Sequence, residues 1–132
     1  MYHLLIVDDE ESMLKGIEFN LLDNPEYDVR TATGKEEAIE ILKSSEIDLV
    51  VSDLMMPGVE DGLAVMSAAK EQWYRPSVLA MTAFETIENA VKAMQAGADD
   101  FISKGFGIDE LAFRIQGMLK KKNELDQLSN AN

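Results

Sequence analysis

Ile47-Asp48-Leu49-Val50-Val51-Ser52-Asp53-Leu54-Met55-Met56-Pro57-Gly58 decides how the rest of the chain is read. Across residues 47–52 the apolar side chains follow one another too closely for a strand with one wet face. That is the pattern of a strand covered on both sides, as in a parallel sheet carrying helices above and below. Asp53 stands at the carboxyl end of this run, and Pro57-Gly58 marks a loop.

Upstream, Leu4-Leu5-Ile6-Val7 is another short apolar run. Residues 11–22 then place Met13, Leu14, Ile17, Leu21 and Leu22 on one helical stripe, until Asn24-Pro25 breaks it. Residues 27–32 read as a second strand. Thr33-Gly34-Lys35-Glu36 reads as a capping box, with Thr33 the N-cap and Glu36 reaching back, at the head of a helix carrying Ala38, Ile39, Ile41 and Leu42. Downstream, Asp61 is expected to cap a third helix with Leu63, Met66, Ala69 and Trp73 on its inner side. Residues 77–81 form a fourth strand. Residues 86–96 form a fourth helix with Ile87, Val91 and Met94, ended by Gly97 as a left-handed cap. Phe101-Ile102 lies in a short fifth strand, and the last helix runs from Ile108 to about Lys122.

Five strands alternating with five helices predict an α/β fold: a doubly wound three-layer sandwich around a five-stranded parallel sheet, with right-handed crossovers. Sites in such folds lie at the carboxyl ends of the strands, where strand order reverses. The 132 residues suit one domain, and 46% hydrophobic residues suffice for one core. The domain is expected over residues 1–122, with 123–132 a tail or the start of a linker. Leu111, Ile115, Met118 and Leu125 keep a rough heptad spacing that Lys122 breaks. The plainer account of the tail is a frayed end whose lysines suit a helix C-terminus.

The net charge of −13 argues against direct binding of nucleic acid, whose phosphates need Lys and Arg. It suits a basic partner or a site that gathers cations. No run approaches the roughly 20 apolar residues of a membrane span, and the first residues lack the basic leader and cleavage site of a signal peptide. The absence of cysteine excludes disulfides and thiolate chemistry and is compatible with the cytosol. His3 is expected before the first strand, structural or incidental.

The polar residues at the strand ends carry the chemistry. Asp8 and Asp9 follow the first strand, Asp53 ends the third, Thr82 ends the fourth and Lys104 follows the fifth. The topology therefore gathers three carboxylates, a hydroxyl and an ammonium at one rim. Close carboxylates resist ionising together. A hard divalent cation relieves this, and Mg²⁺ accepts carboxylates, a backbone carbonyl and waters. With cation and ammonium present, an anionic phosphoryl group is welcome, and a carboxylate can attack phosphorus in line. Each residue also has a duller account: acids at a helix start, a turn Asp, a capping Thr, a surface Lys.

Leu5-Ile6-Val7-Asp8-Asp9-Glu10, the 48–58 stretch, Met81-Thr82-Ala83 and Gly97-Ala98-Asp99-Asp100-Phe101-Ile102-Ser103-Lys104 together resemble the response-regulator receiver family of two-component signalling. The resemblance covers residues 3 to about 120. It implies a flavodoxin-like sandwich with strand order 2-1-3-4-5 and a cytoplasmic location. It implies Asp53 as phosphoacceptor, with Mg²⁺ (or Mn²⁺ in its place) held by Asp8, Asp9, Asp53 and the backbone carbonyl of Met55. Thr82 and Lys104 would bind the phosphoryl group, and Thr82 and Phe101 would act as the switch, Phe101 being otherwise a plain core residue. The implied partners are a sensor histidine kinase or phosphotransfer protein, an effector domain or partner protein, and a second copy through the face of the fourth helix, fifth strand and fifth helix. Ile87, Ala90, Val91 and Met94 lie on that helix. The stretch 81–91 looks most like receivers attached to enhancer-binding transcription activators.

Two departures bear on the site. Gly105 follows Lys104 where the family usually has Pro, often with a cis bond. A cis bond without Pro costs about 2.5–4 kcal/mol, so the reach of Lys104 is in question. The loop from Pro57 to Gly62 is one residue longer than the common form, which puts the Met55 carbonyl in question. The positions that tune phosphoryl lifetime correspond to Met55 and Phe84. Both are apolar, which predicts a phosphorylated state lasting hours. Two other readings are an Mg²⁺-dependent hydrolase with an aspartyl nucleophile, which would want an acid where Met55 stands, and a receiver-like module that binds partners without phosphorylation. Dinucleotide and flavin binding are disfavoured by the acidic loop after the first strand.

Overall fold

The computed structural model describes residues 1–56, 58–83, 86–105 and 107–130. Five strands and five helices alternate: β1 (Tyr2–Val7), α1 (Glu11–Leu21), β2 (Tyr27–Ala32), α2 (Lys35–Ser44), β3 (Leu49–Asp53), α3 (Val59–Lys70), β4 (Ser77–Thr82), α4 (Ile87–Ala96), β5 (Asp100–Ser103) and α5 (Ile108–Asn130). All strand pairs are parallel, in the order β2-β1-β3-β4-β5.

Successive side chains of a strand point to opposite faces, and both faces of the central strands β3 and β4 are dry. Leu5, Val7, Val50, Val78 and Ala80 face a core shared with Ala38 and Leu42 of α2, Val65, Met66 and Ala69 of α3, and Ala93 of α4. Leu4, Ile6, Leu49, Val51, Leu79, Met81 and Ile102 face the other, with Leu14, Ile17 and Leu21 of α1 and Leu111, Ile115 and Leu119 of α5. Every residue of β3 is buried, as the consecutive apolar side chains of Leu49, Val50 and Val51 predict. Strand order reverses between β1 and β3, so Asp8 and Asp53 leave the sheet side by side.

Several local expectations need correction. Thr33 is not the cap of α2. Gly34 holds the N-cap in extended backbone, with no side-chain cap bond, and Glu36 and Glu37 in the first turn meet the helix dipole instead. Asp61 does not cap α3 either: Gly58 is the N-cap, and Asp61, one turn in, pairs with Lys35 at 3.2 Å. Trp73 is 77% exposed, because α3 ends at Lys70 and the helical period that would turn it inward stops there. Its neighbour Tyr74 turns in, donating its hydroxyl to the Leu42 carbonyl at 2.6 Å. Leu22, the C-cap of α1, is exposed.

Helix α5 does not stop near Lys122. It continues to Asn130, so Lys120–Lys122 sit inside the helix, away from its last turn, and Lys122 pairs with Asp126 at 3.0 Å. Those lysines therefore do not stand in the last turn of the helix, where its dipole would favour them. His3 lies within β1, not before it, and has a partner: its Nδ1 is 2.8 Å from Asp28 Oδ2. The ends of α4 match the sequence reading. Thr86 accepts from Asn89 N at 3.1 Å, and Gly97 closes the helix at φ 112°, where glycine is favoured.

Candidate functional site

Asp8 begins the loop after β1 and is fully buried. Its Oδ1 accepts from Glu10 N at 2.8 Å, so it does serve as the turn residue before α1. Its Oδ2 points the other way, is buried, and takes no aligned hydrogen bond. Asp9 beside it is exposed. Asp53, 3% exposed, ends β3, and its Oδ1 accepts from Met55 N at 3.1 Å. One carboxylate oxygen from each of Asp8, Asp9 and Asp53 lies within 4.8 Å of the others.

Lys104, just past β5, closes the site. Its Nζ is 2.9 Å from Asp53 Oδ2 and 2.9 Å from Asp8 Oδ2. Its own amide donates to the Thr82 carbonyl at 2.7 Å, which fixes the end of β5 against the end of β4. Gly105 thus does not prevent the reach that its presence put in question. Thr82 is fully buried at the end of β4, opposite Ser103 in the register.

Electrostatics follow from this packing. Burial pushes the Asp53 carboxyl above the ordinary carboxylate range, the Asp8 charge adds to that, and the Lys104 ammonium and Met55 N–H pull against it without prevailing. Burial opposes the charge on Lys104, but attraction to Asp53 and Asp8 outweighs it and raises its pKa above that of a free lysine. One ammonium against two buried carboxylates and an exposed third leaves the hollow negative. An oxygen-rich, negative hollow, whose buried Asp8 Oδ2 has the Lys104 ammonium beside it, is the donor set that a hard cation such as Mg²⁺ takes.

Phe101 is half-buried on β5 and packs against the core on the α2, α3 and α4 side. Its backbone carbonyl accepts from Arg114, which also pairs with Asp100 at 3.1 Å. Met55 is part-exposed in the loop after β3. Phe84 lies outside the described residues. The sequence reading missed Gly62, whose Cα lies against the backbone carbonyls of Asp53 and Leu54. A glycine inside a helix, where it weakens the helix relative to alanine, is the signal that marks such a close approach.

Comparison with known proteins agrees with this geometry. The family description "Response regulator receiver domain" matches residues 4–130. The alkaline phosphatase synthesis transcriptional regulatory protein PhoP of Bacillus subtilis is 34% identical over 89% of this chain and 48% of its own length. An NtrX-like response regulator of Rickettsia felis is 34% identical over 98% of this chain and 26% of its own length. Among solved structures, NtrX of Brucella abortus in complex with ATP superposes with a TM-score of 0.88 at 29% identity, over 98% of this chain and 29% of that one. The chain belongs to the response regulator receiver family, a signalling domain rather than a family of catalytic enzymes. It spans about half the length of these curated relatives or less. Among the described residues no helix is long and apolar enough to cross a membrane.

Proposed function

We infer that this domain accepts a phosphoryl group on Asp53 from the phosphohistidine of a sensor kinase or phosphotransfer protein. The observation that carries this is the pairing of buried Asp53 with Asp8 and Lys104 at one rim of the sheet. Asp53 attacks phosphorus with a carboxylate oxygen, a P–O bond forms, the P–N bond to the donor imidazole breaks, and its electron pair stays on that nitrogen, which solvent protonates. Mg²⁺, or Mn²⁺ in its place, held by Asp8, Asp9, Asp53 and the Met55 carbonyl, would offset the negative charge of the incoming group.

The chain's own residues supply the rest. Lys104 Nζ, beside Asp53 Oδ2, is placed to bind the new phosphoryl oxygens, and its attraction to Asp8 keeps it there. The Met55 N–H holds the other oxygen of Asp53. Thr82, buried at the adjoining strand end, would supply the hydroxyl that binds the phosphoryl group, and Phe101 on the next strand would be the aromatic that responds. The domain assists its own phosphorylation and dephosphorylation and no other reaction.

The output is a change on the face of α4, β5 and α5. Ile87, Val91 and Met94 form an exposed apolar stripe there, suited to an effector or a second copy. The effector is transcriptional, on the pattern of the regulators named above, and the domain acts in the cytoplasm without touching nucleic acid itself. Residues 1–122 form the domain proper, and the part of α5 beyond them starts a linker.

Intact mass after incubation with acetyl phosphate and Mg²⁺ tests this. Wild type should gain one phosphoryl unit, Asp53→Asn none, and chelation should abolish the gain. No gain in wild type would favour a module that works without phosphorylation.

A further inference from the structure

The peptide joining Leu54 to Met55 touches the site at one end and a helix at the other. Its N–H, on Met55, donates to Asp53 Oδ1 at 3.1 Å. Its carbonyl, on Leu54, lies so near Gly62 that a Cβ built there would stand 2.1 Å from the carbonyl oxygen and 2.5 Å from the carbon. The Asp53 carbonyl oxygen would be 2.7 Å away. Real Cβ atoms essentially never come under 3.0 Å. A peptide unit is planar, so its carbonyl cannot tilt without carrying its N–H along.

Neither neighbour can yield freely. Leu54 N is tied to the Met81 carbonyl at 2.8 Å. Helix α3 is anchored by buried Val65, Met66 and Ala69. Its first turn is joined to the same loop, since Met56 N and Asp61 N both donate to the Gly58 carbonyl at 3.2 Å. Moving the helix would drag the loop with it.

We propose that Gly62 is a positioning residue for the phosphoacceptor. By having no side chain, it lets α3 press on the Leu54–Met55 peptide and so sets the direction in which the Met55 N–H holds Asp53. The claim rests on Asp53 being the phosphoacceptor. It acts through backbone, not by contact with substrate.

The test compares Gly62→Ala with Leu119→Ala, a buried change on the opposite face of the sheet that controls for lost stability. Both are studied at a temperature where circular dichroism shows them folded. Phosphoryl uptake from acetyl phosphate with Mg²⁺ should slow on the order of a hundred-fold in Gly62→Ala, the cost of displacing a reacting group by about 1 Å, and stay within about two-fold of wild type in Leu119→Ala. The Met55 amide resonance should move in the first variant and not in the second. Equal slowing in both variants, or normal uptake in folded Gly62→Ala, would overturn the proposal.

If wild type itself takes up no phosphate, the phosphoacceptor reading fails separately. The Met55 resonance still decides: a shift in Gly62→Ala supports the positioning role, and none overturns it. Should Gly62→Ala not fold, amide exchange in wild type decides. Protection of Met55 N–H that is lost in Asp53→Ala supports the proposal, and exchange as fast as in a free loop overturns it.

Discussion

The ammonium of Lys104 lies 2.9 Å from Asp53 Oδ2, although Asp53 ends β3, Lys104 follows β5 and glycine comes next. The same nitrogen reaches Asp8 Oδ2, so one cation holds two buried carboxylates at the rim. The side chain of Lys104 is itself nearly buried.

Lys104→Met should therefore leave two carboxylates without their counter-ion. Breaking a buried pair from one side costs on the order of 3 kcal/mol. The folded-state pKa of Lys104 is raised. Its contribution is thus fully present below the ordinary lysine pKa and is lost only as pH rises through the raised value. Urea unfolding in chelator at neutral pH should show the loss, and excess Mg²⁺ should offset part of it. Unchanged stability would contradict the pairing.

The Asp53 shift is also upward but lies in the acid range, so at neutral pH its charge already weighs against the fold. Burial raises its folded-state pKa, so between the ordinary carboxylate pKa and the raised one the native state binds more protons than the unfolded chain. Stability falls as pH rises through that window and is flat above it. Without divalent cation, Asp53→Asn should be more stable than wild type at pH 7, and the gap should close below the ordinary carboxylate range. Chemical denaturation across pH checks this. A variant less stable than wild type at neutral pH would contradict it.

Met55 is part-exposed beside Asp53 and offers no group to orient water. Once formed, the phosphorylated state should last hours. Met55→Glu places a base there and should shorten that lifetime on the order of a hundred-fold, the lower end of general-base effects. Phosphate release after donor removal measures both. Loss within seconds from wild type would contradict the expectation.

These outcomes bear on residues that the sequence made visible to different degrees. The sheet was legible because apolar runs such as 47–52 leave no wet face, which forces parallel strands with helices on both sides. Asp8, Asp53, Thr82 and Lys104 were legible because strand ends converge by topology. What escaped depends on loop backbone. Whether Thr33 or Gly34 caps α2 is set by the local dihedrals of the turn, and the position of Trp73 by where α3 stops. The pairing of His3 with Asp28 arises from the register of β1 on β2, which residue spacing alone does not give. Gly62 faces a carbonyl of a separate segment, so only the packed structure exposes its tight contact.

The most direct measurement locates the modified residue. Protein phosphorylated with acetyl phosphate and Mg²⁺ is reduced with borohydride, which converts an acyl phosphate to the alcohol, and the peptides are sequenced by mass spectrometry. Homoserine at position 53 and nowhere else is the predicted result. Homoserine at position 8 or 9, or none at all from protein that took up phosphate, would contradict the assignment.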